Sequence, residues 1–431
     1  MVSGQAVVGP SGGGESVDEM KEMLLGWIER DEEKLVDFFS RFIQAKSPNP
    51  PGDTTEAVGF ICDFLDREKL PYKLVAPQPT MANVVGGFEC ASPGRHLVFN
   101  GHIDVYPVGD ETWTHDPWSG AVANGRVWGR GACDMKAGTA TSILTFAYLH
   151  RIQEKLKGRL TLTAVSDEET MGPWGARYLV EHNPEVLGDC LLNGEPSSPY
   201  SYRFGEKGLL WLAITIATPG AHGAYTHMSP SATKTAARLI ADLEAVTSIE
   251  PHPPRSVAKV IEQIEEPTER AQGKGAYATV TSVTLNIGTI HGGLKVNMTP
   301  GQCVVEADIR LPVGVTKDDV MERVNEVLAG YPEVTSVEQL GHNEASSCDP
   351  YGEMARILRA NVKALKGFEP SPILSIGATD ARLWRWRGIP GYVYGPSPTH
   401  MASADEYVEI DEYLHTIRTH VLSAYDYLTL P

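Results

Sequence analysis

Five short runs place histidines and carboxylates where a metal ion could be held. In Asn100-Gly-His102-Ile-Asp104-Val105 the imidazole follows the apolar residues Leu97, Val98 and Phe99. His102 is therefore expected at the carboxyl end of a strand, where open α/β sheets hold their ligands. Side chains two apart on a strand share a face, so Asp104 can reach the His102 ring and fix its tautomer for a metal. The second run, Trp128-Gly-Arg-Gly131-Ala-Cys133-Asp134-Met-Lys136-Ala-Gly138, is a glycine-rich turn that delivers an acid between a strand and a helix. It matches neither common glycine-rich phosphate-binding pattern. Cys133 could ligate, although a lone cysteine in such a place is more often a packed small residue. Asp134 could bridge two cations through its two oxygens.

The third run, Ser166-Asp167-Glu168-Glu169-Thr170, puts three acids after an apolar strand, a costly concentration of like charge unless cations sit among them. Glu195, in Asn193-Gly-Glu195-Pro, again follows a strand-like segment. His400 comes late, after Tyr394-Gly-Pro-Ser-Pro and shortly before Asp405-Glu406-Tyr407. Each site alone has an ordinary structural explanation. Five together at strand ends make a coordinated metal site the better one, and two histidines with carboxylates suit zinc, cobalt or manganese.

The elements that must position these groups can be read from periodicity. Residues from about Ser16 to Ala45 show helical spacing with a hinted break at Gly26. Asp53 can cap a second helix reaching about Leu70. Strand-like runs follow at Ala82–Gly86, His96–Val105 and Leu160–Ser166, with an Ala/Thr-rich helix at about Ala137–Leu149. This alternation predicts an α/β domain with a central, mostly parallel sheet flanked by helices. After Glu195-Pro-Ser-Ser-Pro the texture changes to strands at Gly208–Ala217, Val280–Ile290 and Gln302–Leu311, with helices at Ser231–Val246 and Lys317–Leu328. A helix at Tyr351–Leu365 and a strand at Gly391–Tyr394 resume the first texture. We expect a flexible tail over 1–16, a catalytic domain over 17–206 and 341–431, and an inserted α+β lid or dimerisation domain over 207–340.

The 431 residues suit about two or three domains. Hydrophobic residues at 42% and charged residues at 21% are globular values that exclude disorder as the main state. With 37 Lys+Arg against 55 Asp+Glu, the net charge of -18 would repel nucleic-acid phosphates and anionic membranes. Neither is expected as a partner. The six cysteines are scattered without a CxxC pair, as in a reducing compartment. No apolar stretch approaches the roughly 18–20 residues of a membrane span, and the N-terminus lacks the pattern of a signal peptide. The cytoplasm is the expected location.

The runs Gly-His-Ile-Asp, Gly-Arg-Gly-Ala-Cys-Asp-Met-Lys-Ala-Gly, Asp-Glu-Glu and Gly-Glu-Pro, in that order, resemble the co-catalytic zinc amidohydrolases. That group includes acetylornithine deacetylase, succinyl-diaminopimelate desuccinylase, aminoacylase and bacterial glutamate carboxypeptidase. The likeness extends over essentially all of the chain after its N-terminal tail. It implies two divalent metals per subunit, zinc first, with cobalt or manganese as alternatives. Asp134 would bridge them, His102 and Glu195 would complete one site, and Glu169 and His400 the other. Glu168 would be the general base for a water between the metals, and Asp104 the partner of His102. A cis peptide after the bridging acid is also implied, here Asp134–Met135. Relatives usually place the last histidine four residues before a glutamate, whereas His400 and Glu406 are six apart.

In the inserted segment, His222 matches a histidine that reaches the neighbouring subunit's site, with His227 close by, so a homodimer through the lid is implied. Asn297, Arg310 and Arg382 match or suit substrate-binding positions, Arg382 as a carboxylate fork. Arg310 could equally pair with Asp308 or Glu306. The substrate implied is a small carboxylate-bearing N-acyl amino acid or dipeptide-like amide. Two alternatives stand beside it: hydrolytic deamination of an activated aromatic amine such as a nitroanthranilate, and a non-catalytic binding relative.

Overall fold

The strand predicted around His96–Val105 lies at the middle of the molecule. In the computed structural model, which describes residues 17–430, it spans Ser92–His102 within a nine-stranded sheet. The sheet order is Tyr72–Gln78, Met81–Glu89, Lys157–Val165, Ser92–His102, Cys190–Asn193, Gly391–Val393, Ser201–Glu206 and Ser346–Ser347, with Ser371–Ser375 also paired to Ser201–Glu206. The central run from Lys157–Val165 to Gly391–Val393 is parallel throughout. The first two pairings and the last two in that order are antiparallel, while Ser371–Ser375 runs parallel to Ser201–Glu206. The fold is thus mixed α/β around a mostly parallel sheet, as the alternation of elements predicts.

Pleating sends neighbouring side chains of one strand into two different cores. Leu97 and Phe99 join the larger core with the helices Val17–Gln44, Ala137–His150 and Ile410–Thr429. Val98 joins the opposite one with Ala176–His182 and Ala381–Arg385. Helix Ala137–His150 is buried at every position from Ala137 to Leu149, so it has no polar face to display. Small side chains let it lie against the sheet. A Cβ on Gly138 would fall 2.0 Å from the Gly194 carbonyl oxygen, and one on Gly194 would fall 2.6 Å from the Gly138 Cα. Only glycine permits this approach.

Several boundaries differ from expectation. Gly26 does not break the first helix, which is continuous over Val17–Gln44. Leu24 and Ile28 on either side of it are fully buried, and that packing offsets the roughly 1 kcal/mol cost of a helical glycine. The second helix spans Thr55–Arg67, shorter than predicted, and Asp53 accepts the Thr55 N–H at 3.0 Å. The tail expected at 1–16 lies outside the described residues.

Strands Gly208–Ala217, Thr284–Gly292, Gln302–Leu311 and Val334–Asn343 form a separate four-stranded antiparallel sheet. Helices Ala232–Leu243 and Lys317–Leu328 cover it through a core of their own. The latter helix starts with a reciprocal Thr316–Asp319 capping box. The strand predicted from Val280 begins only at Thr284, because residues 255–281 form three short helices that periodicity did not reveal. Val257, Val260, Ile264 and Val280 from this helical segment join the larger core. Gln272 ties it to the main sheet: its Nε2 donates to the Leu374 carbonyl at 2.8 Å and its Oε1 accepts from Ile376 N at 3.1 Å. Among the described residues, no helix is long and apolar enough to cross a membrane.

Candidate metal centre

Two of the parallel strands end level, His102 opposite Val165, and a third ends two residues short, with Asn193 opposite Asn100. The loops leaving those ends meet the turn Ala132–Lys136. There His102 Nε2 lies 3.1 Å from Asp134 Oδ1 and 3.3 Å from Glu195 Oε1. Donor atoms of these three residues all fall within 4.8 Å of one another. The Asp134–Met135 peptide is cis, as the resemblance implied.

The other nitrogen of His102, Nδ1, lies 2.8 Å from the main-chain carbonyl of Asp104, with the Asp104 carboxylate at 3.6 Å. The carbonyl, and not the carboxylate, therefore orients the ring. The carboxylate is occupied elsewhere, accepting from Asn49 Nδ2 at 2.9 Å and from the backbone N–H groups of Glu168 and Glu169 at 3.2 and 3.1 Å. Asp104 is thus the anchor of the acidic loop.

The three consecutive acids of that loop divide their tasks. Asp167 serves the loop itself, accepting from Thr170 Oγ1 at 2.7 Å and from Trp174 N at 3.1 Å. Glu168 Oε1 accepts from Arg382 Nη1 at 3.2 Å. Glu169 Oε1 is buried with no hydrogen-bond partner. Arg382, suggested as a substrate fork, is itself buried and committed to Glu168.

A residue that sequence reasoning did not place in the site holds the turn bearing Asp134. Glu406 Oε1 accepts from the backbone N–H of Cys133 at 2.8 Å and of Asp134 at 3.1 Å. Its Oε2 accepts from Gly131 N at 3.1 Å and Arg130 Nη1 at 2.8 Å. The only sequence signal for it was its spacing from His400. Cys133 is packed, with its Sγ 3.4 Å from the Ser397 carbonyl and its thiol pushed well up by burial.

Electrostatics agree with a cation-binding role. Burial and then the negative charge of Asp134 raise Glu195 to about 7 and hold Glu169 well above the carboxylate range. Burial also raises Glu168, while Arg382 opposes the rise. Burial disfavours the charged His102 ring, but Glu195 and Asp134 outweigh it and hold the imidazole well above its usual value. Crowded acids with an orphaned oxygen are unfavourable by themselves and fit divalent cations, which reverse each of these shifts.

The remaining expected residues are more dispersed. His400 is exposed in a left-handed conformation with φ 54°, its Nδ1 3.3 Å from the Ala404 carbonyl, outside the cluster of close donors. Its loop borders the site, because Pro398, Met401 and Ala402 line a cavity of about 810 Å³ together with Asp134, Glu168 and Glu195. Arg310 also lines this cavity and makes its fork to Asp308, with Nε at 2.8 Å and Nη2 at 2.9 Å, whereas Glu306 takes the Thr289 hydroxyl. His222 and Asn297 come together on the smaller-sheet side, where Gly223 N donates to the Asn297 carbonyl at 2.8 Å, and neither lines the cavity. His227 is exposed beside Tyr225. Arg203, also in the cavity wall, was missed, because its strand Ser201–Glu206 ends in a second buried charge, Glu206, and nothing in the local sequence singles the arginine out.

A buried imidazole and carboxylate cluster at the carboxyl ends of parallel strands, with Glu168 held beside it by Arg382, is the arrangement of a metal-dependent hydrolase. Comparison with known proteins agrees. Residues 98–426 match the profile of Peptidase family M20/M25/M40, and the chain belongs to that family. It is therefore an enzyme that hydrolyses C–N amide bonds. A succinyl-diaminopimelate desuccinylase of Cereibacter sphaeroides is 29% identical over 369 residues, covering 83% of this chain and 86% of the relative. An M20 family metallo-carboxypeptidase, Sso-CP2 from Sulfolobus solfataricus, superposes with a TM-score of 0.78 at 17% identity, covering 92% of this chain and 99% of that one. The YXEP protein of Bacillus subtilis, described as a dinuclear metal binding peptidase of the M20 family, gives 0.64 at 15% identity over 93% of this chain and 99% of its own.

Proposed function

We propose that the chain hydrolyses the amide of a small carboxylate-bearing N-acyl amino acid or dipeptide-like substrate with the help of two divalent cations. The observation that carries this is the meeting of His102, Asp134 and Glu195 within 4.8 Å beside the unpartnered Glu169 oxygen. His102, Asp134 and Glu195 would hold one cation, and Asp134, Glu169 and His400 the other. Zinc is the first choice, with cobalt or manganese as alternatives. Bound there, the cations supply Lewis acidity and lower the pKa of water toward neutrality.

The protein's own groups do the rest. Glu168 takes the proton of the attacking water and passes it to the leaving nitrogen. Arg382 fixes the Glu168 carboxylate and opposes its protonation. Asp104 and Glu406 hold the two loops that carry the acids. Arg310 would contact the substrate from the cavity wall, and Asn297, which lies beside His222 outside the chain's own cavity, would do so from the partner subunit. The desuccinylase and carboxypeptidase names of the relatives support an anionic amide substrate.

The lid would comprise about 207–340, and His222 would stabilise the developing oxyanion in the partner subunit's site. Support comes from its exposure on the smaller-sheet side, away from its own cavity, near a run of outward apolar residues. Val296 is 99% exposed, Leu294 91% and Met228 66%, a concentration that a second copy would cover. A cytoplasmic homodimer is the proposed form, and all six cysteines are unpaired.

Elemental analysis combined with turnover of N-acetyl and N-succinyl amino acids, dipeptides and aromatic amines tests this reading. About two cations per chain and hydrolysis of an anionic amide are expected. Metal-replete protein that is inert to every amide but deaminates an aromatic amine would overturn it.

A further inference from the structure

Arg203 stands in the middle of strand Ser201–Glu206, between Ser371–Ser375 and Gly391–Val393. Its neighbours Tyr202 and Phe204 belong to the larger core, so alternation turns Arg203 to the other face. There it lines the cavity shared with Asp134, Glu168, Glu195 and Trp211. The residue is only 8% exposed, yet its Nε has no hydrogen-bond partner.

The other arginines about the site each have a carboxylate partner, although Arg130, Arg382 and Arg385 also keep one buried nitrogen without a hydrogen bond. Arg382 pairs with Glu168, Arg385 with Glu206, Arg130 with Glu406 and Arg310 with Asp308. No such pairing involves Arg203 among the described residues. The negative field of Glu195, Glu206 and Asp134 reaches it without a direct contact. A guanidinium stays charged even when buried, so it needs a counter-charge. Once cations occupy Glu195 and Asp134, only Glu206, already paired with Arg385, is left to compensate it, and an anion entering the cavity would restore the balance.

We propose that Arg203 is the residue that recognises the substrate's carboxylate, through its planar fork, and so selects anionic over neutral amides. The proposal rests on the amide-hydrolase reading above. A carboxylate matches the fork bidentately, and Leu209 and Trp211 in the same wall suit the short aliphatic part of such a substrate. Arg203 thereby takes the carboxylate-fork role that the guanidinium chemistry had suggested for Arg382.

The test uses metal-loaded protein and two probes, succinate and the neutral succinamide, measured by titration calorimetry. Arg203→Met should weaken succinate about 10- to 100-fold, as expected for losing hydrogen bonds to a charged group, and leave succinamide unchanged. Arg203→Lys keeps the charge but not the fork; it should lose about tenfold on succinate alone, and it serves if the Met variant does not fold. Kinetically, kcat/KM for an N-acyl amino acid should fall by a similar factor in Arg203→Met. The analogue whose recognised carboxylate is capped as a primary amide should be turned over equally by both proteins. Unchanged succinate affinity, or equal losses on charged and capped substrates, overturns the assignment. Failure of wild-type protein to hydrolyse any amide would instead refute the functional reading, while the calorimetry still decides the role of Arg203.

Discussion

Replacing Glu406 by glutamine tests whether the turn bearing Asp134 is held from a distance. The carboxylate receives four hydrogen bonds, two on each oxygen: Cys133 N and Asp134 N on one, Gly131 N and Arg130 Nη1 on the other. Glutamine keeps one oxygen and turns an NH₂ against two of these donors. Both are then left without an acceptor in a place where Arg130 and Glu406 are each 1% exposed. At about 1–3 kcal/mol for each unsatisfied buried donor, Glu406→Gln should cost about 2–6 kcal/mol. That is large against a typical total stability of about 5–15 kcal/mol. Cation affinity should fall about 10- to 100-fold, the usual effect of losing a group that orients a ligand. Urea unfolding of metal-free protein reads the first quantity, and competition with a chromophoric chelator reads the second. Glu409→Gln is the control, because that acid pairs with Arg126 at a partly exposed site and such pairs are worth at most about 1 kcal/mol. If Glu406→Gln behaves like Glu409→Gln in both assays, the clamp does not hold the turn.

Other perturbations have equally definite outcomes. Glu168→Gln should retain its cations by elemental analysis and lose turnover by about 10²–10⁴-fold, as for a general base; a near-normal rate removes Glu168 from the mechanism. Asp134→Ala should lower the content of both cations, and a wild-type count would refute bridging. Mixing inactive His222→Ala with inactive Glu168→Gln should restore part of the activity after verified subunit exchange, because one site then has both groups; no recovery refutes the role in trans. Burial depresses the buried imidazoles of His415 and His420 to about 3 and about 4, below the unfolded value of about 6.5. Their contribution to stability is therefore complete above about pH 6.5 and is lost as pH falls toward those folded values. His415→Gln should flatten the decline of the urea midpoint between pH 6.5 and 4, and an unchanged slope would refute this.

How much of this was legible in the sequence depended on distance along the chain. His102, Asp134, Glu168, Glu169 and Glu195 each follow a strand or open a helix in an unbroken local pattern, so their placement at one sheet edge follows from the α/β alternation. Glu406 and Arg203 carry no such pattern. The first acts on groups more than 270 positions earlier, and the second is marked only by the absence of a partner, which requires three dimensions to see. The helices within 255–281 escaped because they are short and lean on the larger core, where tertiary burial overrides weak local periodicity. Asp104 was placed beside His102 correctly, but the choice between its carbonyl and its carboxylate depended on Asn49 and on the Glu168–Glu169 backbone, neither of them local.

The contact between Gly138 and Gly194 bears on which ions the centre can accept. One glycine lies four residues after Asp134 and the other immediately before Glu195, and their main chains touch with no room for a methyl group. The separation of the segments carrying the two proposed ligands, Asp134 and Glu195, is therefore set by backbone against backbone, which compresses and stretches far less than side-chain packing. An ion of larger radius must be accommodated by torsion of the Asp134 and Glu195 side chains, since the segments behind them have no slack to give. If Asp134 and Glu195 hold the cations as proposed, size discrimination would in that sense be built into the scaffold, and alanine at either glycine would widen the aperture before it altered any ligand.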